Sequence, residues 1–310
     1  MKNSLLKILR CPQTKAMLRY VDGGIETIDG RYKYAIIDGI IIMNRKLGSD
    51  KETVKSFYDE IGWKKNIDNN FVDAEKYEDL RPVSANYVHK CHLRVNKYLT
   101  KGGEYLLDAG SGPVQYDEYL TYSKNFKYRI CVDISFLALQ EAKKKLGKKG
   151  IYILADLTNL PFEDNSVEGA VSMHVIYHIP QAQQKKAMEE INRVIKPKTK
   201  AVIIYTWPVM FSLVNEIGTL LRWLRVLKKS KINQEFYFNP LARDTFLEEN
   251  KNLNIKIFVW RSVSVFFMRR YIHDNLGGKY LLNLLYELEN RWPRFFGLYG
   301  RYPLVLIEKL

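Results

Sequence analysis

YLLDAGSGPVQ (residues 105–115) sets an apolar run against an acid and two closely spaced glycines. An apolar run of this length reads as a buried strand, and Asp108-Ala-Gly110-Ser-Gly112 as the tight turn that follows it. Glycines there permit positive φ and let a ligand approach the backbone. A dinucleotide fingerprint would place a third glycine where a helix N-terminus meets a pyrophosphate, but this chain has Gln115. Asp108, ahead of the first glycine, suits a cationic or ammonium-bearing ligand better than a pyrophosphate. Asp133 lies 21 residues after Gly112, a distance that suits a carboxylate accepting both ribose hydroxyls. The turn therefore disfavours NAD and favours a zwitterionic, sulfonium-carrying nucleoside.

From 105 onward the pattern repeats. YLLDAG, YRICVDI, IYILADL, EGAVSMHV and KAVIIYTW are β-branched or aromatic runs, and FLALQEAKKKLG and QAQQKKAMEEINRVIK lie between them with helical spacing. Strands alternating with helices predict an α/β fold with a doubly wound, mostly parallel sheet covered on both faces. Ligands in such sheets sit beyond the carboxyl ends of the strands. Asp108, Asp133 and Asp156 close three successive strands, a regularity that helix capping alone does not explain.

LLDAGSG, VDIS and LADLTNLPFEDNSVEGAVSMHVIYHI resemble the class I S-adenosylmethionine-dependent methyltransferases of the type 11-like group, across 105–310. The resemblance implies a Rossmann-like fold, S-adenosyl-L-methionine as cofactor, and an antiparallel C-terminal hairpin formed by 255–263 and 301–310. It implies that Asp108, Gly110 and Gly112 border the methionine moiety. Asp133 and Ile134 would hold the ribose and flank the adenine, which Asp156 and Leu157 would contact. Many members have a further glycine where this chain has Val114 after Pro113, so the turn's shape is expected to differ. His178, Tyr177 and His174 follow the fourth strand, where acceptors bind in similar enzymes. His178 is the candidate base, Tyr177 a pocket wall, and His174, placed inside the strand, a structural residue. Methyl transfer from a sulfonium needs a base only for a hydroxyl or a protonated amine; alignment and exclusion of water otherwise suffice.

Residues 1–48 form a small α+β/β unit. LLKILRCPQTKAML…RYKYAIIDGIIIMN resembles the zinc-ribbon-like domain that activates certain RNA and translation-factor methyltransferases. A zinc version needs CxxC pairs; Cys11 precedes Pro12-Gln13-Thr14 and no second pair follows, so the unit is expected to be metal-free. Residues 49–104 read as a helical lid or linker that folds over the cofactor. Tyr58 and Trp63 are candidates for a cation–π contact with the sulfonium or simple core aromatics, and Arg81 for a bidentate grip on an acceptor carboxylate or phosphate or a structural salt bridge. Helical insertions are expected near 208–250 and 273–300. The first carries an apolar stripe beside Arg222, Arg225, Lys228, Lys229 and Lys231, which fits a lid over a lipophilic acceptor, an interfacial helix on anionic lipid, or a core-packed helix. The second suits an apolar pocket or a dimer contact.

The 310 residues carry a formal charge of +15, spread without a long basic block. Such a charge suits a nucleic-acid surface, an anionic membrane surface or a polyanionic substrate, or a lysine-rich proteome. Three scattered cysteines argue against a disulfide framework, and the first residues are too briefly apolar for a signal peptide, so a cytoplasmic protein is expected. Three readings stay open: a small-molecule methyltransferase acting on a metabolite, a lipid or quinone precursor or a glycan intermediate; an RNA or protein methyltransferase; and a non-catalytic binding module. Absence of an Asn-Pro-Pro-Tyr-like motif after the fourth strand weighs against base-amino methylation. A dehydrogenase is a weaker fourth reading, and the oligomeric state is not specified.

Overall fold

The computed structural model describes residues 3–43, 51–52, 55–56, 58–65, 71–208 and 238–310, with the side chains of Tyr58 and Ile61 outside the described set. Among the described residues eleven strands, in chain order, form the frame. Four belong to the N-terminal unit: β1 (Leu18–Val21), β2 (Gly24–Thr27), β3 (Lys33–Ile37) and β4 (Ile40–Ile42). The other seven are β5 (Gly103–Ala109), β6 (Phe126–Asp133), β7 (Gly150–Leu154), β8 (Val167–Met173), β9 (Ile195–Ile204), β10 (Ile255–Arg261) and β11 (Tyr302–Glu308). Their order is β1-β2-β3-β4-β7-β6-β5-β8-β9-β11-β10. The central strands are parallel, and β11 enters antiparallel between β9 and β10, as the resemblance implied.

Buried strands alternate their side chains between two cores. Leu107, Ala109, Ile130 and Val132 face one side, while Leu106, Cys131, Tyr152 and Val171 face the other. Near-continuous burial toward the C-terminal ends of β5 and β6 reflects helices on both faces. Helix Phe136–Leu146 starts at Ser135, whose hydroxyl accepts from the amide of Ala138, and ends at Gly147 with φ 52°. Helix Gln181–Val194 buries Ala187, Met188, Ile191 and Val194 at three- and four-residue spacing.

The N-terminal unit is not a separate body. Its last strand, β4, pairs in parallel with β7, setting Ile40, Ile41 and Ile42 opposite Tyr152, Ile153 and Leu154. This covers the edge that β7 would otherwise leave unpaired. The Cys11 thiol lies 3.0 Å from the Tyr34 hydroxyl and 3.5 Å from the Gln13 side-chain carbonyl. Among the described residues no group of His, Cys, Asp and Glu has the makings of a metal site. No helix among them is long and apolar enough to cross a membrane.

The insertion proposed near 208–250 lies, for 209–237, outside the described residues, and with it the basic stripe from Arg222 to Lys231. The second insertion forms helices Gly278–Arg291 and Pro293–Tyr299. Its buried Glu289 accepts from the Tyr87 hydroxyl, from Arg94 and from the amide of Ser262. That acid clamps the insertion to helix Ala85–Arg94 and to the chain after β10. No residue of 273–300 lines the cavity described next, so the pocket role expected for this insertion is not seen.

Candidate functional site

A cavity of about 500 Å³ opens at the carboxyl ends of β5, β6, β7 and β8, within the range of small-ligand sites. Its first wall is the turn after β5. Gly110 has φ 75°, and a Cβ there would come within 2.5 Å of the Val175 side chain. Gly112 has φ 52°, and a Cβ would meet the Trp63 ring at 3.2 Å. Both positions thus require glycine, for backbone shape and for space. Val114 takes φ 53°, fully buried, in the region that a glycine enters freely. This is a strained state for a β-branched residue. Lys145 helps to hold it by donating to the carbonyls of Val114 and Gln115. The missing glycine has therefore left the turn's left-handed shape in place.

The three strand-end acids have different surroundings. Asp133 lines the cavity, where Oδ2 accepts from the Gly112 amide at 2.8 Å and Oδ1 from the Ser135 amide at 2.9 Å. Burial pushes its carboxyl up to about 6, against the pull of those amides. Asp156 also lines the cavity; Oδ1 accepts from the amide and hydroxyl of Thr158, and Oδ2 from Lys51. Asp108 does not reach the cavity. It is 1% exposed, and Arg129 grips its Oδ2 through Nε at 2.9 Å and through Nη2. The direct border with the methionine moiety expected of Asp108 is thus replaced by a buried ion pair, because Arg129 on β6 faces it across the sheet. Ile134 and Leu157 both line the cavity.

The segment ahead of β5 touches all three strand-end loops. Lys51 reaches Asp156, Asp59 accepts from the Ser135 hydroxyl, and Trp63 covers Gly112. Trp63 packs edge-on against Phe71 with centroids 6.0 Å apart. Arg81, by contrast, lies outside the cavity lining. Its guanidinium forks onto Asp79 at 2.8 Å and donates to the Met268 carbonyl, tying the turn to helix Val265–Tyr271. The acceptor-gripping role read from sequence for Arg81 is therefore excluded by its partners.

His174, Tyr177 and His178 all line the cavity. His174 is outside β8, not within it, at φ 60°. Its ring packs against Trp260 at 4.6 Å and Tyr302 at 5.5 Å. Burial, with Arg261 nearby, drives its imidazole down to about 3, so it is neutral at ordinary pH. Tyr177 packs against Tyr205, Phe238 and His178, and burial raises its hydroxyl well above the usual range.

Several lining residues were not singled out from sequence: Lys51, Asp73, Glu78, Tyr116, Arg261 and Arg301. Asp73 accepts from the Gln115 side chain at 3.3 Å, and burial pushes its carboxyl up to about 6. Burial opposes the charge on Glu78, but Arg261 and His92 overcome it and hold the carboxyl down to about 2. The available signal for Arg261 and Arg301 was an arginine near the end of one strand of the expected hairpin and another starting its partner.

Residues 107–203 match the methyltransferase domain family. An uncharacterised protein of Methanocaldococcus jannaschii is 28% identical over 158 residues, covering 49% of this chain and 60% of that protein. A tRNA (carboxymethyluridine(34)-5-O)-methyltransferase of Arabidopsis thaliana is 33% identical over 106 residues, 34% of this chain and 24% of its own. The chain thus spans less than two thirds of either relative. In fold it is similar to geranyl diphosphate C-methyltransferase from Streptomyces coelicolor, with a TM-score of 0.52, 13% identity, and coverage of 86% of this chain and all of that one.

Proposed function

From the premise that residues 107–203 belong to the methyltransferase domain family, we propose that the chain transfers the methyl group of S-adenosylmethionine to a small-molecule acceptor. One observation carries this reading. A single cavity joins the glycine turn, Asp133 and Asp156 at one end to His174, Tyr177 and His178 at the other. Gly110 and Gly112 leave the backbone bare where a side chain would fill the cradle, and Asp133 keeps lone pairs for the two ribose hydroxyls beyond the two amides it accepts from. Asp156 and Leu157 would meet the adenine. S-adenosylmethionine bound there supplies an activated methyl group for in-line displacement.

The residues of the chain then align the acceptor and exclude water. Trp63 covers the glycine turn, and Tyr116, Tyr119, Tyr177 and Tyr302 wall the acceptor end. This arrangement favours positioning and desolvation over covalent catalysis. His174, neutral and packed, orients the loop after β8 and does not take up the proton. His178 and Asp73 are the cavity groups suited to receive one from a hydroxyl or ammonium acceptor. Asp108 supports the turn from behind through its pair with Arg129.

Calorimetry with S-adenosylhomocysteine and with NAD tests this reading. S-adenosylhomocysteine is expected to bind and NAD to fail; tight NAD binding without the homocysteine compound overturns it. The tRNA-modifying relative and the +15 charge favour a second reading, RNA as acceptor. A strongly salt-dependent affinity for RNA would support that alternative, and its absence would weaken it.

A further inference from the structure

We propose that the acceptor carries an oxyanion, a carboxylate or a phosphate, and that Arg261 and Arg301 hold it. This rests on the methyltransferase reading and assigns its substrate class. Arg261 ends β10 and Arg301 immediately precedes β11. Arg261 sits opposite Tyr302 in the register, beside a bulge, and the Arg301 amide donates to the Ser262 carbonyl at 2.7 Å. The two arginines therefore join the cavity lining from paired stretches of backbone, and Tyr302, opposite Arg261, packs against the His174 ring at 5.5 Å.

The Arg261 side chain is only 2% exposed. Its guanidinium lies 4.8 Å from the Trp260 ring centre and 4.9 Å from that of Tyr302, which fixes its orientation. Nη1 donates to Glu78, yet Nε is buried without an acceptor. A buried donor left unmatched is costly, so this one is a position held for a partner. Arg301 donates through Nη1 to the Trp207 carbonyl, and no carboxylate pairs with it among the described residues. Glu78, the carboxylate that Arg261 meets, lines the same cavity. Glu78 is itself shared with His92, 3.4 Å from its Oε2. An acceptor oxyanion offers these guanidinium donors a partner and matches their planar fork. The surrounding tyrosines suit an apolar or aromatic body attached to that anion.

The test is binding to the full chain saturated with S-adenosylhomocysteine, titrated calorimetrically at constant ionic strength with inorganic phosphate and separately with benzoate. At least one is expected to bind saturably; phosphate alone identifies a phosphorylated acceptor, and benzoate alone a carboxylated one. Arg301→Gln and Arg261→Lys should each weaken that binding at least tenfold while S-adenosylhomocysteine affinity changes less than twofold. Arg261→Lys keeps a cation for Glu78 while removing the fork. Arg301→Gln is at a half-buried position and tests the idea even if the other variant does not fold. Failure of both probes to saturate the S-adenosylhomocysteine complex overturns the inference, as does wild-type binding in Arg301→Gln. Loss of S-adenosylhomocysteine binding by the unmodified chain overturns the methyltransferase reading instead.

Discussion

Gly110, Gly112 and Asp133 come from two adjacent strand ends, whereas Glu78, His174, Arg261 and Arg301 are collected from segments spread over more than two hundred residues. Both groups line one cavity. At the nucleoside end backbone shape dominates: positive φ, missing Cβ atoms and a carboxylate set by two amides. At the acceptor end side-chain packing dominates, with a guanidinium between two rings and a neutral histidine pressed against the same rings. Local sequence can encode the first kind of site, while the second needs the finished sheet.

The contrast can be broken most strongly behind the turn. Arg129→Met leaves the Asp108 carboxylate buried and unpaired, and should lower the unfolding free energy by about 3–5 kcal/mol in denaturant titrations. A loss under about 1 kcal/mol, the range of an exposed pair, would mean that Asp108 is not closed off from solvent or ligand. Next in size is Asp133→Ala, which removes the ribose acceptor and orphans two amides. Equilibrium dialysis should show S-adenosylhomocysteine binding weakened by roughly 30- to 100-fold, about 2–3 kcal/mol. Unchanged affinity would detach Asp133 from the nucleoside.

The third test uses pH. Burial raises the Asp133 carboxyl to about 6 in the free protein, above its unfolded value. Folding therefore takes up protons between that unfolded value and about 6, and this group's contribution to stability falls as pH rises through the window. Ribose hydroxyls donate to the ionised carboxylate, so S-adenosylhomocysteine affinity should rise from pH 5 to pH 7 and level off above. Calorimetry in buffers of different ionisation heat should detect proton release at pH 5 and little at pH 8; proton uptake at pH 5 would contradict the role. The smallest effect is expected at Lys51, which occupies Asp156 in the nucleoside end. Lys51→Ala should raise S-adenosylhomocysteine affinity about two- to fivefold, in keeping with the modest worth of a partly exposed ion pair. A tenfold loss in the same assay would make Lys51 a ligand-holding residue instead.

The strands and helices after residue 105 were legible because their signals are short-range. Apolar runs of strand length alternate with helical spacing, and the sheet keeps that alternation. The glycine turn was legible for the same reason, and Val114 shows the limit of reading residue by residue. A missing glycine did not alter the left-handed shape, because burial and Lys145 hold valine in it. Arg81 shows a different limit: sequence leaves an arginine there open to an anion clamp or a structural salt bridge, and Asp79, two residues away, holds its guanidinium.

By itself the sequence determined the parallel sheet, the bare turn after β5 and the acid that closes β6, since each depends on neighbours within a few residues. Tertiary structure alone decided that Asp108 faces Arg129 while Asp133 faces the cavity. Asp108 lies opposite Cys131, one residue inside the end of β5, while Asp133 ends β6 two register positions further on, and only the assembled sheet gives the first a guanidinium and the second two amides. It also decided that Arg261 and Arg301, 40 residues apart, line one cavity with His174. The physical reason is range. Backbone conformation answers to local sterics, but a buried charge takes its role from whichever partner the completed fold sets opposite it.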